Sequence, residues 1–153
     1  MPSVEYLHTA IGWIEICATN EAVCSILFVD EAGVDNPNAV TKLAHQQLSE
    51  YFAHERTAFN LPLASSGTAF QAKVWQNLQS VEYGHTASYL TIANAIGNPK
   101  ACRAVGAANG KNPISIVVPC HRIIGRNKKL VGYAGGLSRK QWLLEWEASL
   151  KRN

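Results

Sequence analysis

Between Ile11 and Val29 the apolar positions come in short β-branched and aromatic runs. Ile11, Trp13, Ile14 and Ile16 form one, and Val23, Ile26, Phe28 and Val29 another, with Thr19-Asn20-Glu21 between them. This spacing predicts strands joined as a hairpin or meander. Residues 30–38 are a polar breaker, and the period then changes: Val40, Leu43, Ala44, Gln47, Leu48, Tyr51 and Phe52 recur as one face of a helix. Asn60-Leu61-Pro62-Leu63-Ala64-Ser65-Ser66-Gly67 is turn-rich and reads as a link. Beyond it the chain is punctuated helix. Thr68-Ala69-Phe70-Gln71 fits a capping box, opening a helix with Phe70, Val74, Leu78 and Val81 on its apolar side and Gly84 at its end. Residues 88–96 predict a second helix stopped by Gly97, and Asn98-Pro99 a restart, with Asn as cap and Pro at the first helical position. That third helix runs through Arg103 and Val105 to about Ala108. Two short helices across a Gly-Asn-Pro turn have the pattern of a helix-turn-helix. A second capping box, Ser138-x-x-Gln141, predicts the last helix, carrying Trp142, Leu143, Leu144 and Trp146.

Ile116-Val117-Val118-Pro119-Cys120-His121-Arg122-Ile123-Ile124 has the composition of a buried segment, yet it holds a thiol, an imidazole and a guanidinium in succession. Burying such groups costs free energy unless each is paired. One reading is a nucleophilic cysteine whose pKa neighbouring cations bring from about 8.5 to roughly 3.5–7.5. The other is a structural core cysteine.

With 153 residues, 47% hydrophobic and 16% charged, the chain suits one domain or two small ones with a sizeable core. No apolar run approaches the roughly 20 residues of a membrane span. The opening residues lack a basic segment followed by an apolar one, so no secretory signal is expected. Cys17, Cys24, Cys102 and Cys120 show no Cys-x-x-Cys spacing, and Cys17, Cys24, His8 and His45 lack metal-ligand spacing. Free thiols in a reducing cytoplasm are expected. Charge is divided unevenly. Residues 1–66 hold two basic against eight acidic side chains, net −6, whereas residues 67–153 hold twelve against three, net +9. A half-chain so basic either meets a polyanion or presents a solvated basic face. Residues 125–129 read as part of it, a polar basic loop.

Taken together these residues resemble the O6-alkylguanine-DNA alkyltransferases. The family signature, Pro-Cys-His-Arg followed by two apolar residues, stands at positions 119–124. Ser88-Tyr89, Gly97-Asn98-Pro99, Arg103-Ala104-Val105-Gly106, Asn112-Pro113, Tyr133-Ala134-Gly135-Gly136 and Lys140-x-Trp142-Leu143-Leu144-x-x-Glu147 agree in order and spacing. The likeness is specific over residues 67–153 and loose over residues 1–66. It implies an α/β protein: a small N-terminal sheet-plus-helix domain of ribonuclease-H-like type (1–66) packed on a helical domain with a helix-turn-helix (67–153). It also implies single-turnover transfer of an alkyl group from O6 of guanine to a cysteine.

By the same resemblance Cys120 accepts the alkyl group, His121 acts on it through a water, Glu147 orients His121 and Asn112 braces the loop. Tyr89 and the backbone N–H of Ala134, within Tyr133-Ala134-Gly135, would serve the guanine ring and O6, and the carbonyls of Cys120 and Ile123 its exocyclic amine. Some relatives have serine at the Ala134 position. Arg103 would enter the gap left by a flipped base, with Ala104, Gly106 and Ala107 lying close to the DNA backbone and Arg122 among the DNA contacts. The implied partner is double-stranded DNA carrying O6-alkylguanine, held through its minor groove by a monomer. Some eukaryotic relatives carry a zinc in the N-terminal half; Cys24 lies near one such position without a full ligand set, so no metal and no cofactor are expected. Three alternatives differ in chemistry: an alkyltransferase-like protein that grips damage without reacting, a helix-turn-helix regulator, and a cysteine hydrolase.

Overall fold

The computed structural model describes residues 2–64, 66–125, 130 and 132–152. The chain forms two compact units, Met1–Ser66 with Pro113–Val117, and Gly67–Asn112 with Val118–Asn153.

In the first unit the β-rich runs become three antiparallel strands in the order β1 (Ser3–Thr9), β2 (Gly12–Ala18), β3 (Val23–Val29). Thr9 closes the first turn, its hydroxyl donating to the Gly12 carbonyl at 2.7 Å and accepting from the Ile11 N–H at 3.1 Å. Register pairs Ile14 with Phe28 and Ile16 with Ile26, and a bulge falls between Cys17 and Ala18. Alternation then buries Ile14, Ile16, Ala18, Val23 and Ile26 completely. Each isoleucine, and Val23, contributes about 1.5–3 kcal/mol against exposure. Helix α1 (Ala39–Phe52) opens with a capping box of Asn38 and Thr41. Its buried face is Thr41, Ala44, Gln47, Leu48 and Tyr51. Leu43, expected on that face, is instead exposed. The inward Gln47 is satisfied by reciprocal hydrogen bonds with the backbone of Asn60, at 3.0 and 2.9 Å. Residues 113–117 extend this unit: the Ile26 N–H donates to the Pro113 carbonyl and the Ser115 N–H to the Ile26 carbonyl, each at 2.9 Å.

The second unit is mostly helix. The Thr68–Gln71 capping box forms with both bonds and starts α2 (Ala69–Leu78). This helix ends earlier than the apolar spacing predicts; Val81 is buried from the turn that follows, not from the helix. A two-residue strand β4 (Ala87–Ser88) leads into α3 (Tyr89–Ala95), whose first turn is capped by Ser88. Gly97 stops α3 with φ +78°, while its own N–H donates to Asn94 and that of Asn98 to Ala93. That pair of bonds is a Schellman motif, which needs the left-handed conformation glycine takes without strain. Helix α4 (Cys102–Gly110) begins later than expected. Asn98 and Pro99 are spent in a turn closed by the Ala101 N–H on the Asn98 carbonyl, so Asn98 is not the cap, and the cap residue Ala101 makes no side-chain bond. The Trp75 indole N–H donates to the Ala108 carbonyl at 2.8 Å, fastening α2 to α4.

The 3-10 turn Cys120–Arg122 is followed by β5 (Ile123–Ile124), parallel to β4. Last comes α5 (Leu137–Arg152). The second capping box does not form: Ser138 lies inside the helix, and the Gln141 amide donates to Glu145 one turn on, at 3.1 Å. The expected basic loop at 125–129 lies, beyond Gly125, outside the described residues.

Candidate active site

Two tight turns deliver Cys120. The Val117 N–H donates to the Ser115 carbonyl at 2.8 Å across Ile116, which takes φ +71°. A β-branched residue in that region stores strain of order 1–3 kcal/mol, held here by surrounding structure. Next, the Cys120 N–H donates to the Val118 carbonyl at 2.8 Å across Pro119, whose φ −82° and ψ 63° define an inverse γ-turn. The Asn112 amide donates to the Val118 carbonyl at 2.8 Å and also bonds the thiol. Asn109 donates to the Cys120 carbonyl at 3.3 Å. The backbone on both sides of the thiol is thus tied down, and Cys120 is only 3% exposed.

Beside it stands a buried charge cluster. His121 Nε2 and Glu147 Oε2 are 2.7 Å apart, and Arg122 Nε and Nη2 donate to Glu147 Oε1 and Oε2 at 2.8 and 3.1 Å. Arg122 Nη1 donates to the Val81 carbonyl at 2.7 Å, and its guanidinium lies 5.6 Å from the Tyr83 ring centroid. Burial opposes the Glu147 charge, but the charge His121 carries when acid protonates it, the hydrogen bonds of His121 and Arg122, and the Arg122 charge outweigh burial and bring the Glu147 pKa down to about 2. Burial also pushes the His121 pKa below its ordinary value, helped by the cations Arg122 and Lys140, against the pull of Glu147. A neutral imidazole facing an ionised carboxylate must carry its proton on Nε2. Nδ1 is then a bare acceptor, and it has no hydrogen-bond partner among the described residues.

The thiol differs from the sequence expectation. Burial raises the Cys120 pKa, and the Asn112 hydrogen bond and the Lys140 charge offset this only in part. It therefore rests as a thiol, and a base must take its proton at the moment of reaction.

Lys140 is the residue that pattern reading passed over. It is fully buried, its ammonium donates to the Ile123 carbonyl, and burial lowers its pKa to about 8. The signal was present: Lys140, Leu143 and Glu147 lie at i, i+3 and i+7, one helix face, and all three are completely buried. Asn109, likewise missed, has no such periodic mark.

Tyr89, the first residue of α3, has its pKa raised by burial and by the nearby Cys120. A Cβ built on Gly132 would stand 3.6 Å from its hydroxyl, so the loop holding Tyr133, Ala134 and Gly135 begins against Tyr89. That loop is fastened by the Arg139 guanidinium on the Gly135 carbonyl at 3.1 Å. Gly106 lies under the Tyr89 ring, where an added Cβ would make an ordinary 3.7 Å contact. Arg103, Ala104 and Ala107 form the exposed side of α4. Arg122 does not join them: it is 6% exposed and engaged inside the protein. No group of side chains suited to hold a metal is found among the described residues.

Residues 69–149 match the family described as 6-O-methylguanine DNA methyltransferase, DNA binding domain, and residues 4–65 its ribonuclease-like domain. A methylated-DNA–protein-cysteine methyltransferase of Mycolicibacterium paratuberculosis is 45% identical, over 94% of this chain and 92% of its own length. The constitutive enzyme of that name from Bacillus subtilis is 44% identical over 92% of each. Among solved structures, the Mycobacterium tuberculosis protein in complex with DNA superposes with a TM-score of 0.88, at 41% identity, covering 95% of this chain and 92% of that one.

Proposed function

Because the chain belongs to the 6-O-methylguanine DNA methyltransferase family and works in direct-reversal DNA repair, moving a methyl group from DNA to a protein cysteine, we propose a residue-level account of that transfer. Cys120 is the acceptor and O6-alkylguanine in duplex DNA the donor. The observation that carries this reading is a buried thiol next to a neutral imidazole whose outer nitrogen is held by an ionised carboxylate. His121 Nδ1 takes the thiol proton through a water, and Glu147 stabilises the imidazolium that results. The thiolate attacks the alkyl carbon, the S–C bond forms, and the C–O6 bond breaks with its electron pair passing to the purine. The resulting guanine anion is met by the Tyr89 hydroxyl and the Ala134 N–H, which supply donors to the ring and to O6. The carbonyls of Cys120 and Ile123, backed by Asn109 and Lys140, accept from the exocyclic amine; each carbonyl has a second lone pair for that purpose.

Reaching such a base requires flipping it out of the duplex. We assign that to residues 67–153, with Arg103 on the exposed side of α4 filling the gap from the minor groove and Ala104, Gly106 and Ala107 allowing close approach. Arg122 is assigned to the interior and not to DNA. All proposed groups come from one chain, so a monomer suffices. The four cysteines are free, and the reducing cytoplasm would keep them so. No described helix is long and apolar enough to cross a membrane.

The test is stoichiometry. Incubated with excess duplex O6-methylguanine DNA, the protein should gain one methylene per molecule, on the peptide that contains Cys120, and then stop. Repeated turnover, or repair with Cys120 unmodified, would overturn the account, because a dialkyl thioether is a poor alkyl donor and would not reset.

A further inference from the structure

We propose that Arg122 is a positioning residue for alkyl transfer: it clamps the Glu147 carboxylate in the orientation that keeps the His121 proton on Nε2 and so leaves Nδ1 to act on Cys120. The inference rests on the Cys120–His121–Glu147 reading above. Arg122 Nε, Nη1 and Nη2 each donate within the protein, two of them to Glu147 and one to the Val81 carbonyl, while the ring of Tyr83 lies beside the guanidinium. A fork with two bonds on one carboxylate sets the plane of that carboxylate as well as its charge, which a single ammonium cannot do. Glu147 Oε2 is left facing His121 Nε2, sharing Arg122 Nη2 as its other donor.

His121 and Arg122, from the 3-10 turn, act on Glu147 directly; Lys140, on the same helix as Glu147, acts on His121 and Cys120; and Tyr83 feels the charge of Glu147. Without Arg122, a carboxylate this buried loses a cation that bonds both of its oxygens and is driven toward its neutral form. A protonated Glu147 would donate to His121 Nε2, the imidazole proton would move to Nδ1, and the base facing Cys120 would be lost. Arg122 thus governs the reaction without touching thiol or substrate.

The experiment measures alkylation of Cys120 by free O6-benzylguanine, read by intact mass against pH, in wild type, E147Q, R122K, R122M and the double variant R122M/E147Q. R122M should react at least about tenfold slower at neutral pH, with the acid limb of its profile moved up by about one pH unit or more. R122K should fall between R122M and wild type. In the E147Q background, R122M should cost nothing further, because the group through which Arg122 acts is already gone. If R122M alone fails to fold, R122K and the double variant, whose buried amide carries no charge, still decide the matter. Wild-type rate and pH profile in R122K and R122M, or losses that multiply in the double variant, would overturn the inference. A wild-type rate in E147Q would instead remove the acid–base reading beneath it. Duplex binding by R122K should keep the wild-type salt slope; a slope smaller by about one would restore Arg122 as a phosphate contact and overturn the inference as well.

Discussion

Cys120 is a buried thiol with a raised pKa, so attack by its sulfur requires a base to remove the proton first. Cys120→Ser should abolish transfer while leaving DNA affinity within about twofold, since a hydroxyl is far harder to ionise and the substitution is nearly isosteric. Residual transfer at wild-type rate in a single-turnover assay would point to another cysteine. The same cluster makes stability depend on pH. Glu147 titrates at about 2 in the fold, against roughly 4.3 unfolded, so its contribution is complete above pH ~4.3 and disappears as pH falls toward 2. That shift corresponds to about 3 kcal/mol. His121 is held neutral, so the unfolded chain protonates first, and stability already declines as pH falls through about 6.5. Lys140, at about 8 in the fold, acts higher up: stability should rise between pH ~8 and ~10 as the folded state sheds its proton first. Calorimetric Tm should therefore fall from pH 7.5 to 5.5 and again by pH 3. E147Q should flatten the lower step.

Helix ends show which local signals suffice by themselves. Ser88, Asn38 and Thr68 each cap a helix from within their own three-residue reach, and those ends were legible or nearly so. Asn98 and Ser138 carried equally good cap chemistry and do not cap, because the chain turns at 98–101 and the last helix starts one residue before Ser138. Gly97 is the joint between α3 and α4. A Cβ there would meet nothing within 4 Å, so the whole cost of Gly97→Ala is its φ of +78°. We expect a loss of about 1 kcal/mol for alanine and less for asparagine, which tolerates the left-handed region better. Urea unfolding should report this as a shift in midpoint at constant m. A neutral Gly97→Ala would mean that the turn relaxes to another geometry.

At the scale of the whole molecule, charge and exposed side chains decide how DNA is met. The net +9 of residues 67–153 predicts that log Kd for duplex rises linearly with log salt, while undamaged sequences are bound nearly alike. A preference of several kcal/mol for one undamaged sequence would contradict this. Arg103 is exposed on α4 beside Ala104 and Ala107, whereas Tyr89, on the helix before, is half-buried near the thiol. Arg103→Ala should therefore slow repair in duplex DNA by about tenfold or more yet leave transfer from free O6-benzylguanine nearly unchanged, since only the duplex requires base extrusion. Equal slowing on both substrates would place Arg103 in the chemistry.

Sequence alone determined the α/β composition, the helix-turn-helix and the family, because strand alternation, glycine stops and the Pro119–Ile124 signature depend on residues close together along the chain. It also singled out Cys120, His121 and Glu147 as candidates. Tertiary structure decided what those groups are. Whether a thiol is ionised depends on burial and on charges brought from elsewhere, and here burial outweighs Lys140 from α5. Arg122 stands in the sequence as a guanidinium in an apolar segment, and only folding supplies its partners, Glu147 twenty-five positions on and the Val81 carbonyl forty-one back. Lys140 reads as one more helical lysine until its face turns inward beside Leu143. Desolvation and ion pairing belong to contacts between distant segments, and no local pattern specifies them.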